Sequence, residues 1–124
     1  MVVWASVLAL AILLPGCALN PTPEQLAAAD FGPMPESYQQ IIMTTFSPTL
    51  FDPYSAVYQF SAPSQGWSRT FNEFTYGWAV CGTLNAKNRF GGYVGATPFF
   101  VLIRHGQIMR RELGRYVTQD GFCR

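Results

Sequence analysis

The side chains best suited to bind a charged ligand stand close together in one short segment. It combines two cations, two carboxamides and a tyrosine with three glycines: Asn85, Lys87, Asn88, Arg89 and Tyr93. Such cations pair with anionic groups, and a tyrosine ring offers a face for stacking. The glycines follow neither Gly-x-Gly-x-x-Gly nor Gly-Lys-Ser/Thr, so a nucleotide site is not indicated. Two interpretations stay open: a ligand-binding loop, or a connection in which glycine and asparagine form the turn between two strands.

No pattern in the sequence indicates catalysis. His105 is the only histidine, and Gly106 beside it is typical of a hairpin turn rather than of a general base with a neighbouring carboxylate. The carboxylates form no pair typical of glycosidases, and Cys81 could act as a nucleophile only if folding brought it to His105. No two cysteines stand at the spacing of metal ligands. The sequence therefore predicts a protein that is not an enzyme, with no catalytic residue, no metal and no cofactor.

The composition is that of one small globular domain with unevenly divided charge. Of the 124 residues 49% are apolar and 12% charged, which argues against a disordered chain. The net charge of +1 argues against nucleic acid, because phosphate binding usually requires a basic excess. All eight Lys and Arg residues lie from Arg69 onward, together with only three carboxylates. This half is interpreted as a solvated basic face or as a surface for anionic envelope polymers or lipid head groups.

The chain starts with a segment typical of export. Residues 2–14 form an apolar run with one serine, which is shorter than the roughly 20 residues of a membrane span but matches the hydrophobic part of a secretory signal. The sequence Leu-Pro-Gly then precedes Cys17. This order resembles the lipobox of bacterial lipoproteins, with an aliphatic residue third before the cysteine and a small residue directly before it. The resemblance implies a signal peptide over residues 1–16 and a diacylglycerol and an N-acyl chain (typically palmitate) on Cys17. Because alanine rather than aspartate follows, it also implies the outer membrane, facing the periplasm.

Two alternatives to this anchor stay open, an ordinary cleaved signal and a membrane anchor that is retained. The lipid anchor is physically sufficient, because each buried CH₂ contributes about 0.8 kcal/mol and two or more acyl chains hold a protein stably. The cysteine count agrees with it. If Cys17 is acylated, Cys81 and Cys123 remain, and an oxidising periplasm would allow them to pair. Alternatively both stay free, with Cys81 as a small buried apolar residue.

The rest of the chain is predicted as a tether followed by one α+β domain. Residues 17–35 hold the lipidated cysteine and four prolines, with a capping box at Thr22 and Gln25 that predicts one short helix. In the domain, residues 36–124, apolar side chains recur at helical spacing up to Pro48, namely Tyr38, Ile41, Ile42 and Phe46.

Four strands are predicted for an antiparallel sheet on which this amphipathic helix packs: residues 56–60, 75–84, 97–103 and 107–113. In 75–84 the alternation places Val80 and Cys81 on opposite faces, and 97–103 is apolar on both faces, which indicates a central strand. Residues 61–66 are predicted to turn, so that Trp67 lies in a turn where it could contact a partner.

The domain also resembles a recurring arrangement in small proteobacterial lipoproteins and exported proteins. In these a helix leads into Asp-Pro-x-Ser-Ala, here residues 52–56, and later into Cys-Gly-x-x-Asn-Ala-Lys-Asn-x-Phe-Gly-Gly-Tyr-x-Gly, here residues 81–95. The resemblance implies one domain and carries no activity with it.

Three functions follow as hypotheses. The first is a non-catalytic, lipid-anchored module that binds an envelope protein or polymer, for example as an accessory to an envelope assembly. The second is an inhibitor or immunity-type lipoprotein that blocks a hydrolase with residues 85–95. The third and weakest is an envelope hydrolase whose catalytic residues the sequence does not identify.

Overall fold

The computed structural model describes residues 20–71, 73–115, 117 and 123, and the predicted signal segment and Cys17 lie outside these residues. Two helices come first, α1 Pro23–Ala28 and α2 Tyr38–Phe46, followed by two turns of 3-10 helix, Ser47–Thr49 and Pro53–Ser55. Five strands complete the described chain: β1 Val57–Phe60, β2 Ser64–Thr70, β3 Glu73–Asn85, β4 Thr97–Arg104 and β5 Gln107–Leu113. The predicted α+β class is confirmed.

Strand β3 organises the sheet, because it is long enough to pair with two strands along one edge. β2 pairs with its first half and β1 with its last four residues, while β4 pairs with the other edge and β5 with β4, all antiparallel. Between β1 and β2, the Ser61 hydroxyl donates to the Cys81 carbonyl at 2.8 Å and accepts from the Cys81 N–H at 3.0 Å. β1 and β2 therefore act as one interrupted strand, and the sheet is a simple antiparallel meander.

The predicted turn over residues 61–66 is wrong in its second half, and so is the turn position of Trp67. Residues 64–66 begin β2, and Trp67 lies half-buried within that strand, opposite Tyr76. Serine, glutamine and glycine favour turns locally, but here Gly66 is buried opposite Gly77 of β3. Pairing with β3 along the whole of β2 overrides the local preference.

One face of the sheet is covered by α2, whose predicted apolar stripe is confirmed. Ile42 and Phe46 are buried, and the Phe46 and Phe99 ring centroids lie 5.6 Å apart. The sheet contributes the other buried members of this core: Val80, Leu84, Phe99, Val101 and Ile103. Burying each such side chain stabilises the fold by roughly 1.5–3 kcal/mol. The short helix α2 is therefore stabilised mainly by its packing against the sheet.

The opposite face carries a second, smaller core that ends at a disulfide. Ala79, Phe100, Leu102 and Val117 are buried there, with Cys81 and Cys123 packed against them. The sulfur atoms of Cys81 and Cys123 are bonded, which confirms the predicted pairing. Because cores lie on both of its faces, β4 is the central strand that its continuous apolar sequence predicts.

The segment before α2 contacts the sheet at the end where β4 turns into β5. The indole N–H of Trp78 donates to the Gly32 carbonyl at 2.9 Å, and the Phe31 and Tyr76 ring centroids lie 5.6 Å apart. α1 has the capping box that the sequence predicts, with Pro23 in its first turn. Residues 31 and 32 therefore lie against this end of the sheet.

Candidate functional site

The segment that the sequence singles out connects β3 to β4, and residues 86–96 are called the basic loop below. It folds back on itself through a bridge between Lys87 and Tyr93. Two of its glycines, Gly91 and Gly95, have positive φ values of 77° and 102°, which side chains other than glycine adopt rarely. The strand connection is thus confirmed, while contact with a ligand stays a prediction.

The two predicted carboxamides hold the backbone of the basic loop. The Asn88 side-chain oxygen accepts hydrogen bonds from the N–H groups of Phe90 at 2.9 Å and Gly92 at 3.3 Å. The Asn85 side-chain oxygen accepts from the N–H of Gly95 at 3.0 Å and so closes the loop. Asparagine commonly forms such local turns. These two oxygen atoms therefore serve the shape of the loop, and its binding groups must be sought among the neighbouring side chains.

Ser55 fastens the basic loop to the chain that precedes β1. Its hydroxyl accepts from the Lys87 N–H at 2.9 Å and donates to the Asp52 carbonyl at 2.7 Å, while its own carbonyl accepts from the Tyr93 hydroxyl at 3.0 Å. Sequence analysis did not identify Ser55 as part of the site. The loop is consequently held both by its own asparagines and by a second segment, so it is preorganised.

The outer surface of the basic loop is both aromatic and cationic. The Lys87 ammonium lies 5.5 Å from the centroid of the Tyr93 ring, and the Arg89 guanidinium lies 5.9 Å from that of Phe90, distances at which a cation is attracted to a ring face. Phe90 is 87% exposed, and Tyr54 on the neighbouring segment is fully exposed. The loop contains no Asp or Glu. This loop surface (Lys87, Arg89, Phe90 and Tyr93) can pair with anions and stack against flat apolar groups.

Trp67, the remaining predicted binding residue, does not join this surface. It is paired with Tyr76, nine residues along β3 from Asn85, which corresponds to about 30 Å at the usual rise of a strand. The structure therefore brings Asn85, Lys87, Asn88, Arg89 and Tyr93 together and places Trp67 near the other end of the sheet.

The hairpin tip at His105 carries a side-chain hydrogen bond that the sequence does not reveal. His105 has a φ of 51°, as its predicted turn position suggests, and its Nε2 lies 3.0 Å from a carboxylate oxygen of Asp30. The hydrogen bond to His105, and next that from the Gly32 N–H, lower the pKa of Asp30. Both side chains are more than half exposed, so the pair links the segment before α2 to the hairpin without a cleft around it.

Cys81 is not available as a thiol nucleophile, because its sulfur is bonded to Cys123. A shallow hollow of about 390 Å³ lies beside this disulfide and is lined mainly by apolar groups. Phe60, Gly82 and Pro98 form part of its wall. It lies on the sheet, apart from the basic loop.

Within the described parts of the chain, no three His, Cys, Asp or Glu side chains are grouped as metal ligands. Over the same residues, no helix is both long and apolar enough to cross a bilayer. Neither a family model, nor a curated protein, nor a solved structure matches this chain.

Proposed function

We propose that the protein is a lipid-anchored binding module of the bacterial envelope, which performs no chemistry itself. In this proposal the chain is cleaved before Cys17, acylated there and held at the outer membrane, facing the periplasm. Its folded domain then presents the loop surface to an envelope protein or polymer, as an accessory to an envelope assembly. The observation that carries the proposal is the division of the cysteines: Cys81 and Cys123 are bonded to each other, which leaves Cys17 of the lipobox-like sequence for acylation.

The disulfide supports an exported protein in particular. Structural disulfides persist in oxidising compartments such as the bacterial periplasm and are rare in the cytosol. The apolar run of residues 2–14 supplies a route to that compartment. The two features are independent of each other, since one is a sequence pattern and the other a contact between distant residues.

The basic loop supports a binding role. A loop whose backbone is already fixed by Asn85, Asn88 and Ser55 loses little conformational entropy when a partner binds. Tyrosine and arginine, both present in the loop, are among the side chains that contribute most to binding energy at interfaces. The disulfide also removes Cys81 from the hydrolase hypothesis, and His105 sits on an exposed turn, so the loop surface is the better-supported site.

Radiolabelled palmitate and membrane fractionation of a Cys17→Ser variant test the anchor. The wild-type chain should carry label and sediment with membranes, and Cys17→Ser should lose both. A matched control is the double variant Cys81→Ser, Cys123→Ser, which should keep the label. If Cys17→Ser stays in the membrane fraction without any loss of label, the anchor is not at this residue.

The shape of the basic loop favours a second candidate, an inhibitor or immunity-type lipoprotein. A rigid loop with a projecting Phe90 could enter the cleft of an incoming hydrolase, as preorganised inhibitor loops do. Affinity capture separates the two candidates: a secreted lytic enzyme as the specific partner would favour inhibition, whereas envelope components would favour the binding module.

A further inference from the structure

We infer that the loop surface binds an acidic glycan of the envelope, that is, a sugar polymer bearing carboxylates, on the side of the domain away from the membrane. The inference rests on the proposed function, because the orientation of the domain depends on an anchor at Cys17. It adds the chemical class of the partner and the orientation of the domain.

The orientation follows from where the chain enters the fold. Residues 30–32 contact Trp78 and His105, and Trp78 pairs with Ile103 near the end of β4. The basic loop follows Asn85 at the other end of β3, about 23 Å from Trp78 at the usual rise per residue. In this inference the chain runs outward from residues 30–32 to Cys17, so that the His105 end faces the membrane and the loop surface points into the periplasm.

The chemistry of the surface fits alternating sugar rings and carboxylates. The C–H faces of a sugar ring are apolar and carry a slight positive charge, so they pack flat against the negative face of an aromatic ring. Phe90 and Tyr93 each offer such a ring beside a cation, and Arg89 and Lys87 can pair with carboxylates. Since residues 86–96 contain no carboxylate of their own, nothing in the loop competes for these cations.

Two other classes of partner fit less well. A membrane surface would require the domain to turn over on its tether, because the loop lies at the opposite end from residues 30–32. A protein partner would have to supply a pocket for Phe90, which is 87% exposed, together with carboxylates placed for both cations. A flexible glycan can lie across such a projecting surface without a complementary pocket.

Cosedimentation with purified cell-wall sacculi tests the inference. The full chain, extracted from membranes in mild detergent, should sediment with sacculi and not with neutral cellulose, and binding should weaken as salt is added. The double variant Lys87→Gln, Arg89→Gln and the single variant Phe90→Ser should each bind about tenfold more weakly, in line with the loss of exposed cation and ring contacts. Phe71→Ser is the matched control for the latter, because Phe71 is 88% exposed on the β2–β3 turn, and it should bind like the wild type.

Three results would overturn the inference: wild-type chain left in the supernatant, unchanged binding by the Lys87 and Arg89 double variant, or capture by phosphatidylglycerol vesicles or polyglutamate in preference to sacculi. The last result would assign the surface to lipid or to an acidic protein instead. Palmitate label measured on the same preparation separates the two proposals. Label without sedimentation contradicts only the glycan, and sedimentation without label contradicts only the anchor.

Discussion

Removing the disulfide should destabilise the domain strongly. Cys81 and Cys123 are separated by 42 positions, and closing a loop of that length lowers the entropy of the unfolded chain by an amount worth about 4 kcal/mol at 25 °C. The bridge also holds Cys123 against the second core, which includes Phe100 and Leu102. For a domain near 100 residues, 4 kcal/mol corresponds to a decrease in Tm of about 15–20 °C.

The measurement is urea and thermal unfolding of the oxidised protein, the protein with reductant, and the variant Cys81→Ala, Cys123→Ala. Reduced wild type and the double variant should be destabilised to a similar extent, and reductant should have no further effect on the double variant. Alkylation of the native protein without reductant should leave both cysteines unmodified. A loss below about 1 kcal/mol, well under the loop-entropy value, or alkylation of both thiols would refute the reasoning.

Three further predictions concern single positions. A Cβ at Gly82 would lie 2.0 Å from the Gln59 carbonyl oxygen, so Gly82→Ala should force β1 away and lower the free energy of unfolding by about 3 kcal/mol or more. Gly92→Ala is the control and should change it little, because a Cβ there would have no neighbour closer than 4.0 Å. Equal urea midpoints for the two variants would contradict this prediction. The pKa of Asp30 is lowered mainly by its hydrogen bond with His105. The ionised carboxylate therefore stabilises the fold at pH values above its ordinary pKa of 3.8, and this contribution is lost as the pH falls through the lowered pKa. NMR titration should show a higher Asp30 pKa in His105→Ala than in the wild type, and an unchanged pKa would refute the contact. Ser55→Ala removes the hydroxyl that accepts from the Lys87 N–H and donates to the Asp52 carbonyl. Amide hydrogen exchange should therefore become faster within residues 86–96 while β4 stays protected. Unchanged loop exchange would show that the Ser55 hydroxyl does not hold the loop.

Much of the sheet could be predicted, because the apolar positions of its strands in the sequence are the positions that the structure buries. The strand around Val80 and Cys81 alternates between two separate cores, and β4 is apolar throughout because both of its faces are covered. The helix before Pro48 could be predicted in the same way, because its apolar stripe includes the buried residues Ile42 and Phe46. In these elements local pattern and tertiary packing favour the same structure.

β2 could not be predicted, because its pairing depends on a distant partner. Its first three residues have the composition of a turn, and its position is fixed by Gly66 lying opposite Gly77 across a hairpin. A sequence pattern with period two gives little signal where glycine and serine fill the inward positions. The sequence therefore predicts a turn at Trp67, which in the structure belongs to β2.

The sequence predicts which residues form the candidate site, but not the contacts that hold its backbone in place. The types and spacing within residues 85–95 located the basic loop, yet Asn85 and Asn88 hold its backbone instead of facing a ligand. Ser55 and Asp30 were missed because their contacts, to Lys87 and His105, join residues 32 and 75 positions apart. The two segments of the lipoprotein-like arrangement, residues 52–56 and 81–95, do meet in the fold through Ser55.

The claim on which the account depends is that the mature chain begins at an acylated Cys17. Mass spectrometry of the protein purified from membranes, followed by analysis of its amino-terminal peptide, tests it most directly. We expect a chain starting at Cys17 that carries a diacylglycerol and an N-linked acyl chain. An intact chain still carrying residues 1–16, or one starting at an unmodified residue, would contradict it.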